Sequence, residues 1–331
     1  MVSYICPLPA RHATGPRLAG GWCRFDHAAI LERGRAPDVV PVADIPDAAL
    51  APLVAARPAI AGVAFDRPSI MGILNVTPDS FSDGGRFLAP DAALAQAEAM
   101  AAADILDIGG ESTRPGAREV PAGEEADRIL PVIRALAGRT MSVDTRKADV
   151  ARAALEAGAA LVNDVSGLAY DPRMAETVAG RGAPLCLMHS AGTPETMQDD
   201  PRYADVVLDV YDALAERIDT ALAAGIPRDR IVVDPGIGFG KTAAHNLALL
   251  RRIAVFHGLG VAILLGVSRK RFVGTIGDAP EAAARMPGTL AVTLAAVAQG
   301  VQMHRVHDVA EVAQGLALWR ETGGIDGPLW H

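Results

Sequence analysis

Residues 141–167 read MSVDTRKADVARAALEAGAALVNDVSG, and this stretch decides the fold class. A short apolar run lies at each end of it, and the two runs stop at Asp144 and Asn163. Between them lies the helix-length segment Lys147–Ala157. A strand, a helix and a second strand in this order form the unit from which parallel sheets are built.

The same pattern continues on both sides of this stretch. Six further apolar runs also stop at a polar residue. In chain order the eight runs are Ile70–Leu74, Ile105–Leu106, Met141–Val143, Leu161–Val162, Leu185–Met188, Ile231–Val233, Ile263–Val267 and Val306. Eight strand–helix units in about 250 residues predict an α/β protein with a closed (β/α)8 TIM barrel, whose chemistry lies at the carboxyl ends of the strands.

The first 69 residues differ from the barrel segment, residues 70–331, because they are rich in Pro, Arg and Ala. Their pattern predicts helices at Asp26–Arg33 and Asp47–Ala56. It also predicts a strand at Val63–Phe65 that caps the bottom of the barrel at its N-terminal mouth. For this extension, residues 1–69, the role is a structural cap or a contact with a partner, and the sequence does not decide between them.

Composition excludes several classes of protein. The chain has 331 residues, of which 50% are hydrophobic and 21% charged, so it can bury a large core. A net charge of −8 argues against a nucleic-acid partner. No apolar run approaches the ~18 residues of a membrane span, and three cysteines at no useful spacing indicate a reducing compartment. We therefore expect a cytoplasmic protein with neither nucleic acid nor membrane as partner.

Two loops after the predicted strands have unusual compositions. The loop Asn75–Gly85 (NVTPDSFSDGG) is long and carries Phe81 among acids and hydroxyls, which is typical of a lid over a ligand. An ordinary solvated loop is the alternative. The loop Gly109–Gly116 (GGESTRPG) places Arg114 beside Pro115, which favours a phosphate or carboxylate ligand over a plain turn.

Three strand ends carry an acid or an amide: Asp144, Asn163 and Asp234. A buried carboxylate needs a partner, and a heterocycle with an N–H beside an exocyclic amine offers it two parallel donors. An Asn side chain both donates and accepts, so it suits the mixed edge of such a ring. Ligation of a cation is the alternative, although Mg²⁺ is often held by one or two protein groups plus substrate phosphates.

Glycines and cations follow the last three predicted strands. The segment Asp234–Thr242 (DPGIGFGKT) is not a Walker loop, because Pro235 stands where that motif needs its first Gly. Its glycines let the chain pass close to a flat ligand, with Phe239 against it. Cations in Ser268–Arg271 and Arg305–His307 follow strands seven and eight, where barrels of this type commonly bind phosphate. Solvated charge runs are the alternative.

Together these motifs resemble the dihydropteroate synthase family. The matching segments are NVTPDSFSDGG (75–85), ESTRPG (111–116), SVDT (142–145), NDVSG (163–167), DPGIGFGK (234–241), SRK (268–270) and RVHDV (305–309). They cover residues 70–322 in family order. The resemblance implies a transferase of folate biosynthesis that condenses (7,8-dihydropterin-6-yl)methyl diphosphate with 4-aminobenzoate, giving dihydropteroate and diphosphate. It also implies Mg²⁺ as cofactor and a homodimer.

The resemblance further implies roles for individual residues, with Asp144, Asp234 and Lys270 as the catalytic set. The pterin would contact Asp144, Asn163, Met188, Asp234, Phe239 and Lys270. The diphosphate would contact Asn75, Thr113, Arg114, Arg305 and His307, and Asn75 would also ligate the Mg²⁺. The aminobenzoate would contact Phe81, Pro115, Ser268 and Arg271. Arg271 departs from the family pattern, because many relatives have Ser there, so its contact with the aminobenzoate carboxylate is the least secure.

Two other functions remain open at this point. A pterin-binding methyltransferase would share the heterocycle-holding Asp and Asn but would need no diphosphate site. A non-catalytic paralogue would bind pterins without turnover. Phe81, Arg114 and the pair of Arg305 and His307 argue against both, because neither function requires a lid or a diphosphate site.

Overall fold

The computed structural model of the protein describes residues 3–76, 89–112, 119–192 and 199–324. Its first part is a three-stranded antiparallel sheet followed by a helix. These elements are β1 (Tyr4–Pro9), β2 (Phe25–Leu31), β3 (Asp38–Pro41) and α1 (Asp47–Val54). The helix α1 confirms one of the two helices predicted for the extension. The strand predicted at Val63–Phe65 is wrong, because only Val63 forms a bridge, to Ile60 three residues earlier in the chain.

The predicted helix at Asp26–Arg33 is wrong, because this segment forms β2. Pairing overrides the local pattern: Ile30 lies opposite Ile5 on one side and Asp38 on the other. A central strand satisfies its backbone groups through both neighbours, and neither neighbour can be recognised from a single apolar run.

Eight parallel strands close into one barrel in chain order, with the last strand paired to the first, and this confirms the predicted fold class. The barrel strands are β4 (Ser69–Asn75), β5 (Ile105–Gly109), β6 (Met141–Asp144), β7 (Leu161–Asp164), β8 (Leu185–Met188), β9 (Ile231–Asp234), β10 (Ala262–Leu265) and β11 (Met303–Val306). Each overlaps one of the eight apolar runs.

Helices surround the barrel. They are α2 (Ala89–Ala99), α3 (Ala122–Ala135), α4 (Ala148–Ala157), α5 (Met174–Arg181), α6 (Val206–Ala223), α7 (Ala243–Arg251), α8 (Arg271–Ile276), α9 (Met286–Val297) and α10 (Val309–Trp319). The sequence predicts one helix at Glu281–Gln299 after strand seven, whereas the structure has the additional short helix α8 before α9. Among the described residues, no helix is long and apolar enough to cross a membrane.

The strands read as continuous apolar runs because both of their faces are buried. One face packs against the helices, and the other fills the barrel. The lower part of the interior is a cluster formed by Met71, Ile105, Leu161, Cys186, Val232, Ala262, Leu264 and Met303. Ile60 and Phe65 from the extension pack into this cluster and close the bottom of the barrel.

The rest of the extension lies on the outer wall of the barrel instead of beneath it. The Trp22 Nε1–H donates to the carbonyl of Val297 at the end of α9 (2.9 Å), and the Tyr4 hydroxyl donates to Asp212 on α6 (2.8 Å). Phe25 is fully buried in the same continuous core that contains the helix-facing strand residues. The extension and the barrel therefore share one hydrophobic core.

Candidate active site

The register of the barrel strands aligns several of the predicted site residues in one row. Asn75 pairs with Gly109, Gly109 with Asp144, and Asp144 with Asn163 across four neighbouring strands. Each of these residues ends its strand or lies one residue before its end, so the row faces the carboxyl-terminal mouth of the barrel. Residues that are 88 positions apart in the chain, from Asn75 to Asn163, thereby become neighbours.

Asp107 is the centre of the hydrogen-bond network beneath this row. Its side chain is fully buried. It accepts hydrogen bonds from the Ser142 hydroxyl (2.5 Å), the Asn163 amide nitrogen (3.1 Å) and Nε of Arg305. Three donors from three other strands compensate for the burial of this carboxylate. The network fixes the orientation of the Asn163 side chain.

Arg305 joins Asp107 to Asp144. Its Nη2 donates to Oδ2 of Asp144 at 2.6 Å, and the two carboxylates raise the pKa of the guanidinium. The Arg305 side chain remains 20% exposed. The exposed edge is available to an anionic ligand, because a guanidinium has five N–H donors.

Asp144 is the acid of this network that ends β6. Burial raises its pKa to about 7, an effect that Arg305 opposes and the charge of Asp107 reinforces. Its Oδ1 is buried and has no hydrogen-bond partner among the described residues. A buried oxygen without a partner is costly, so this atom is an acceptor available to a ligand N–H group.

A second acidic group lies at the end of β9. Oδ1 of Asp234 accepts from the backbone N–H of Gly236 (2.7 Å), and burial raises the pKa of this carboxyl. The neighbouring Lys270 donates to the carbonyl of Ile237, and its Nζ lies 4.4 Å from the centre of the Phe239 ring. Burial lowers the pKa of Lys270 to about 8, although Asp234 opposes this shift.

Loops after β10 and β11 are linked by their side chains. The Ser268 hydroxyl lies 2.9 Å from Nδ1 of His307, and the His307 backbone N–H donates to the same hydroxyl (3.1 Å). Arg269 forms a two-point ion pair with Asp308 and adopts a left-handed backbone conformation with φ of 58°. Arg271 is the exposed first residue of α8.

Four of the predicted site residues lie outside the described residues: Phe81, Thr113, Arg114 and Pro115. Among the residues predicted to contact the pterin, Asp144 pairs with Asn163 and Met188 pairs with Asp234 in the strand register. Lys270 lies over the ring of Phe239. Two buried groups of the site were missed. Asp107 ends an apolar run, which is a sequence signal for it, whereas Lys241 follows a glycine loop and has no comparable signal.

The residues around Asn75 fit the implied Mg²⁺. Gly109 lies between the two side chains, because a Cβ at this position would be 3.4 Å from Cβ of Asp144, 3.7 Å from its Oδ2 and 3.8 Å from Oδ1 of Asn75. Among residues described by the model, no group of three or more His, Cys, Asp or Glu side chains could hold a metal ion. One amide oxygen suits a Mg²⁺ whose other ligands are substrate phosphates and water.

A barrel with buried carboxylates, an amide and a lysine at its carboxyl-terminal mouth defines a (β/α)8 enzyme that binds a planar nitrogen heterocycle. A family model described as pterin binding enzyme matches residues 71–307. The chain is 45% identical to the dihydropteroate synthase of Synechocystis sp. over 263 residues, which are 77% of this chain and 91% of the relative.

Two solved structures of the Xanthomonas albilineans dihydropteroate synthase are also similar. The structure with 4-aminobenzoic acid has a TM-score of 0.75 and 45% identity, covering 79% of this chain and 96% of that one. The structure with 7,8-dihydropteroate has a TM-score of 0.72 and 42% identity, covering 78% and 95%. The present chain belongs to the pterin binding enzyme family and, within it, to the dihydropteroate synthases.

Proposed function

We infer that this chain condenses (7,8-dihydropterin-6-yl)methyl diphosphate with 4-aminobenzoate, giving 7,8-dihydropteroate and diphosphate in folate biosynthesis. The observation that carries the inference is the buried Oδ1 of Asp144, which has no partner among the described residues while Oδ2 is held by Arg305. A ring N–H of the pterin would satisfy this oxygen. A relative named dihydropteroate synthase is similar in sequence to this chain over 77% of its length.

Pterin recognition follows from the hydrogen-bonding capacity of the site. Asp144 and Asp234 are acceptors for the ring N–H and exocyclic amine groups. Asn163 both donates and accepts, and Lys270 donates to the ring oxygen. Met188 and Phe239 supply apolar contact with the faces of the ring. We assign these six residues to the pterin because they lie at one end of the barrel. Four of them are buried, namely Asp144, Asn163, Met188 and Asp234, and Lys270 lies against Phe239.

The diphosphate would be held by the exposed edge of Arg305 and by His307, with Thr113 and Arg114 remaining sequence predictions. Asn75 would hold a Mg²⁺, which neutralises phosphate charge when it is bound. Charge grows on the diphosphate as the C–O bond breaks, so cations placed at the barrel mouth lower the barrier.

We propose that the C–O bond breaks before the new bond is complete. The electron pair leaves with the diphosphate, and positive charge develops on the pterin methylene and ring. Asp144 stabilises this charge, because a carboxylate in a buried site acts at low dielectric. The amine of 4-aminobenzoate then attacks the methylene carbon and loses a proton. Ser268 and Arg271, with Phe81 and Pro115 as predictions, would contact the aminobenzoate.

The test is incorporation of labelled 4-aminobenzoate into dihydropteroate by the purified protein, with the pterin diphosphate and Mg²⁺. We expect product that disappears when a chelator is added and returns with excess Mg²⁺. Folded protein that binds pteroic acid but forms no product would contradict the proposed activity. Exchange of labelled diphosphate into the pterin substrate without aminobenzoate tests the dissociative step separately.

We also propose that the enzyme is a cytoplasmic homodimer. The location rests on the three cysteines at no useful spacing. Support for the dimer comes from Leu318 on α10, which is 62% exposed beside the apolar helix α9. Sedimentation equilibrium should give twice the 34.4 kDa chain mass, and Leu318→Asp should shift it toward the monomer. A monomeric parent protein at micromolar concentration contradicts the dimer.

A further inference from the structure

Lys241 is a buried cation that the proposed reaction does not use. Its side chain is 3% exposed. Its Nζ donates to the carbonyls of Gly236 and Phe239, each at 2.9 Å, and lies 2.9 Å from Nδ1 of His189. An ammonium group has three N–H donors, so these three short contacts can use all of them, and the His189 carbonyl is a fourth, longer contact at 3.4 Å. The ring nitrogen of His189 must then be unprotonated.

The loop after β9 is folded around this ammonium group. Gly236, Gly238 and Gly240 all have positive φ angles, of 66°, 83° and 60°. Residues other than glycine rarely adopt positive φ angles. A Cβ at Gly236 would also lie 1.8 Å from the carbonyl oxygen of His189. The loop therefore turns its carbonyls inward and passes against the end of β8, and the buried charge holds it there.

The same loop positions the residues assigned to the pterin. Gly236 donates to Asp234, and Ile237 accepts from Lys270. A Cβ at Gly238 would lie 3.1 Å from Cδ of Lys270, so the loop is in direct contact with that side chain. Phe239, whose carbonyl binds Lys241, packs against Lys270. Movement of the loop would displace all of these groups.

We propose that Lys241 is a positioning residue: its ammonium group ties the loops after β8 and β9 together and thereby sets the geometry of Asp234, Phe239 and Lys270 for the pterin. The identity of the ligand as a pterin rests on the proposed function. Burial lowers the pKa of Lys241 to about 7, and the charge of Asp234 opposes this shift. Burying an ammonium without a carboxylate in contact is costly, and the acceptors around Nζ favour the charged form. An apolar side chain at position 241 would remove the donor from the Phe239 carbonyl and from Nδ1 of His189, whereas the Gly236 carbonyl would keep the backbone N–H of Phe239 (3.1 Å).

The test compares Lys241→Met with a matched control, Arg57→Met. Arg57 is also a buried cation held by backbone carbonyls, those of Pro52, Ala55, His257 and Val261, but it lies at the extension. We expect Lys241→Met to raise both the KM for the pterin diphosphate and the Kd for pteroic acid by about tenfold or more. The KM for 4-aminobenzoate should change by less than about twofold. Arg57→Met should lower the melting temperature and leave all three constants near those of the parent.

His189→Leu gives a second variant if Lys241→Met does not fold, because it removes one acceptor and keeps the ammonium group. We expect a smaller rise in the same two pterin constants. Folded variants with unchanged pterin constants, or with equal changes for both substrates, would overturn the proposal. The Kd for pteroic acid needs no turnover, so failure of the positioning role can be told apart from failure of the proposed reaction.

Discussion

Replacing Asp144 with Asn isolates the role of one negative charge in this site. The substitution keeps the shape of the side chain but puts an N–H group where a ligand donor should arrive. Loss of a hydrogen bond to a charged group costs about 1.5–3 kcal/mol. Loss of the attraction to a cation ~5 Å away adds about 3 kcal/mol at an effective dielectric of ~20. The sum, about 5 kcal/mol, corresponds to a fall in kcat/KM of roughly 10³–10⁴-fold.

The assay is the initial rate of labelled aminobenzoate incorporation at varied concentrations of pterin diphosphate. Circular dichroism and the melting temperature report whether the fold survives. Asp149→Asn is the matched control, because Asp149 is an aspartate on α4 whose side chain is 50% exposed, and we expect it to keep full activity. A folded Asp144→Asn protein with kcat/KM within about tenfold of the parent would refute the reasoning.

Three further predictions concern pH, the extension and the metal. Affinity for pteroic acid should fall as the pH drops below about 7, because the pKa of Asp144 is raised to about 7 and its protonated form accepts N–H donors poorly; a calorimetric Kd that stays constant between about pH 5.5 and 8 contradicts this. Phe25→Ala should lower the free energy of unfolding by about 3–5 kcal/mol, since Phe25 is fully buried. The exposed Val39→Ala should be neutral in the same denaturation experiment, and equal effects would mean that the extension is not part of the core. Removal of divalent cations should weaken binding of the pterin diphosphate but not of pteroic acid, because only the former carries phosphates for the metal to bridge; equal weakening of both ligands would place the metal elsewhere.

The alternation of apolar runs and helix-length segments predicted the barrel and the strand ends correctly. Both faces of a parallel strand are buried, so the strands are visible as short apolar runs. Parallel strands also end on the same side of a barrel, so a polar residue after each run predicts a shared site without any knowledge of contacts. Asp144, Asn163 and Asp234 are predicted in this way, and the structure places all three, buried, at the carboxyl ends of their strands. This prediction needs only their positions at the ends of apolar runs.

Local pattern failed where pairing with a distant segment decided the structure. Residues 26–33 were expected to be helical, but β2 lies between two partner strands that local periodicity cannot reveal. The extension was expected only beneath the barrel, yet most of it packs on the outer wall. An apolar run shows that a segment is buried, but it does not show against which surface.

The sequence by itself determined that eight strands end around a common mouth, and it predicts that the polar side chains there bind a flat heterocycle. Only the tertiary structure decided how they are paired. Arg305 meets Asp107 across 198 positions of the chain because the last strand closes against the first. Lys241 finds an acceptor 52 positions earlier, on His189. The first of these contacts depends on barrel closure, which is a property of all eight strands together, and the second depends on the pairing of β8 with β9.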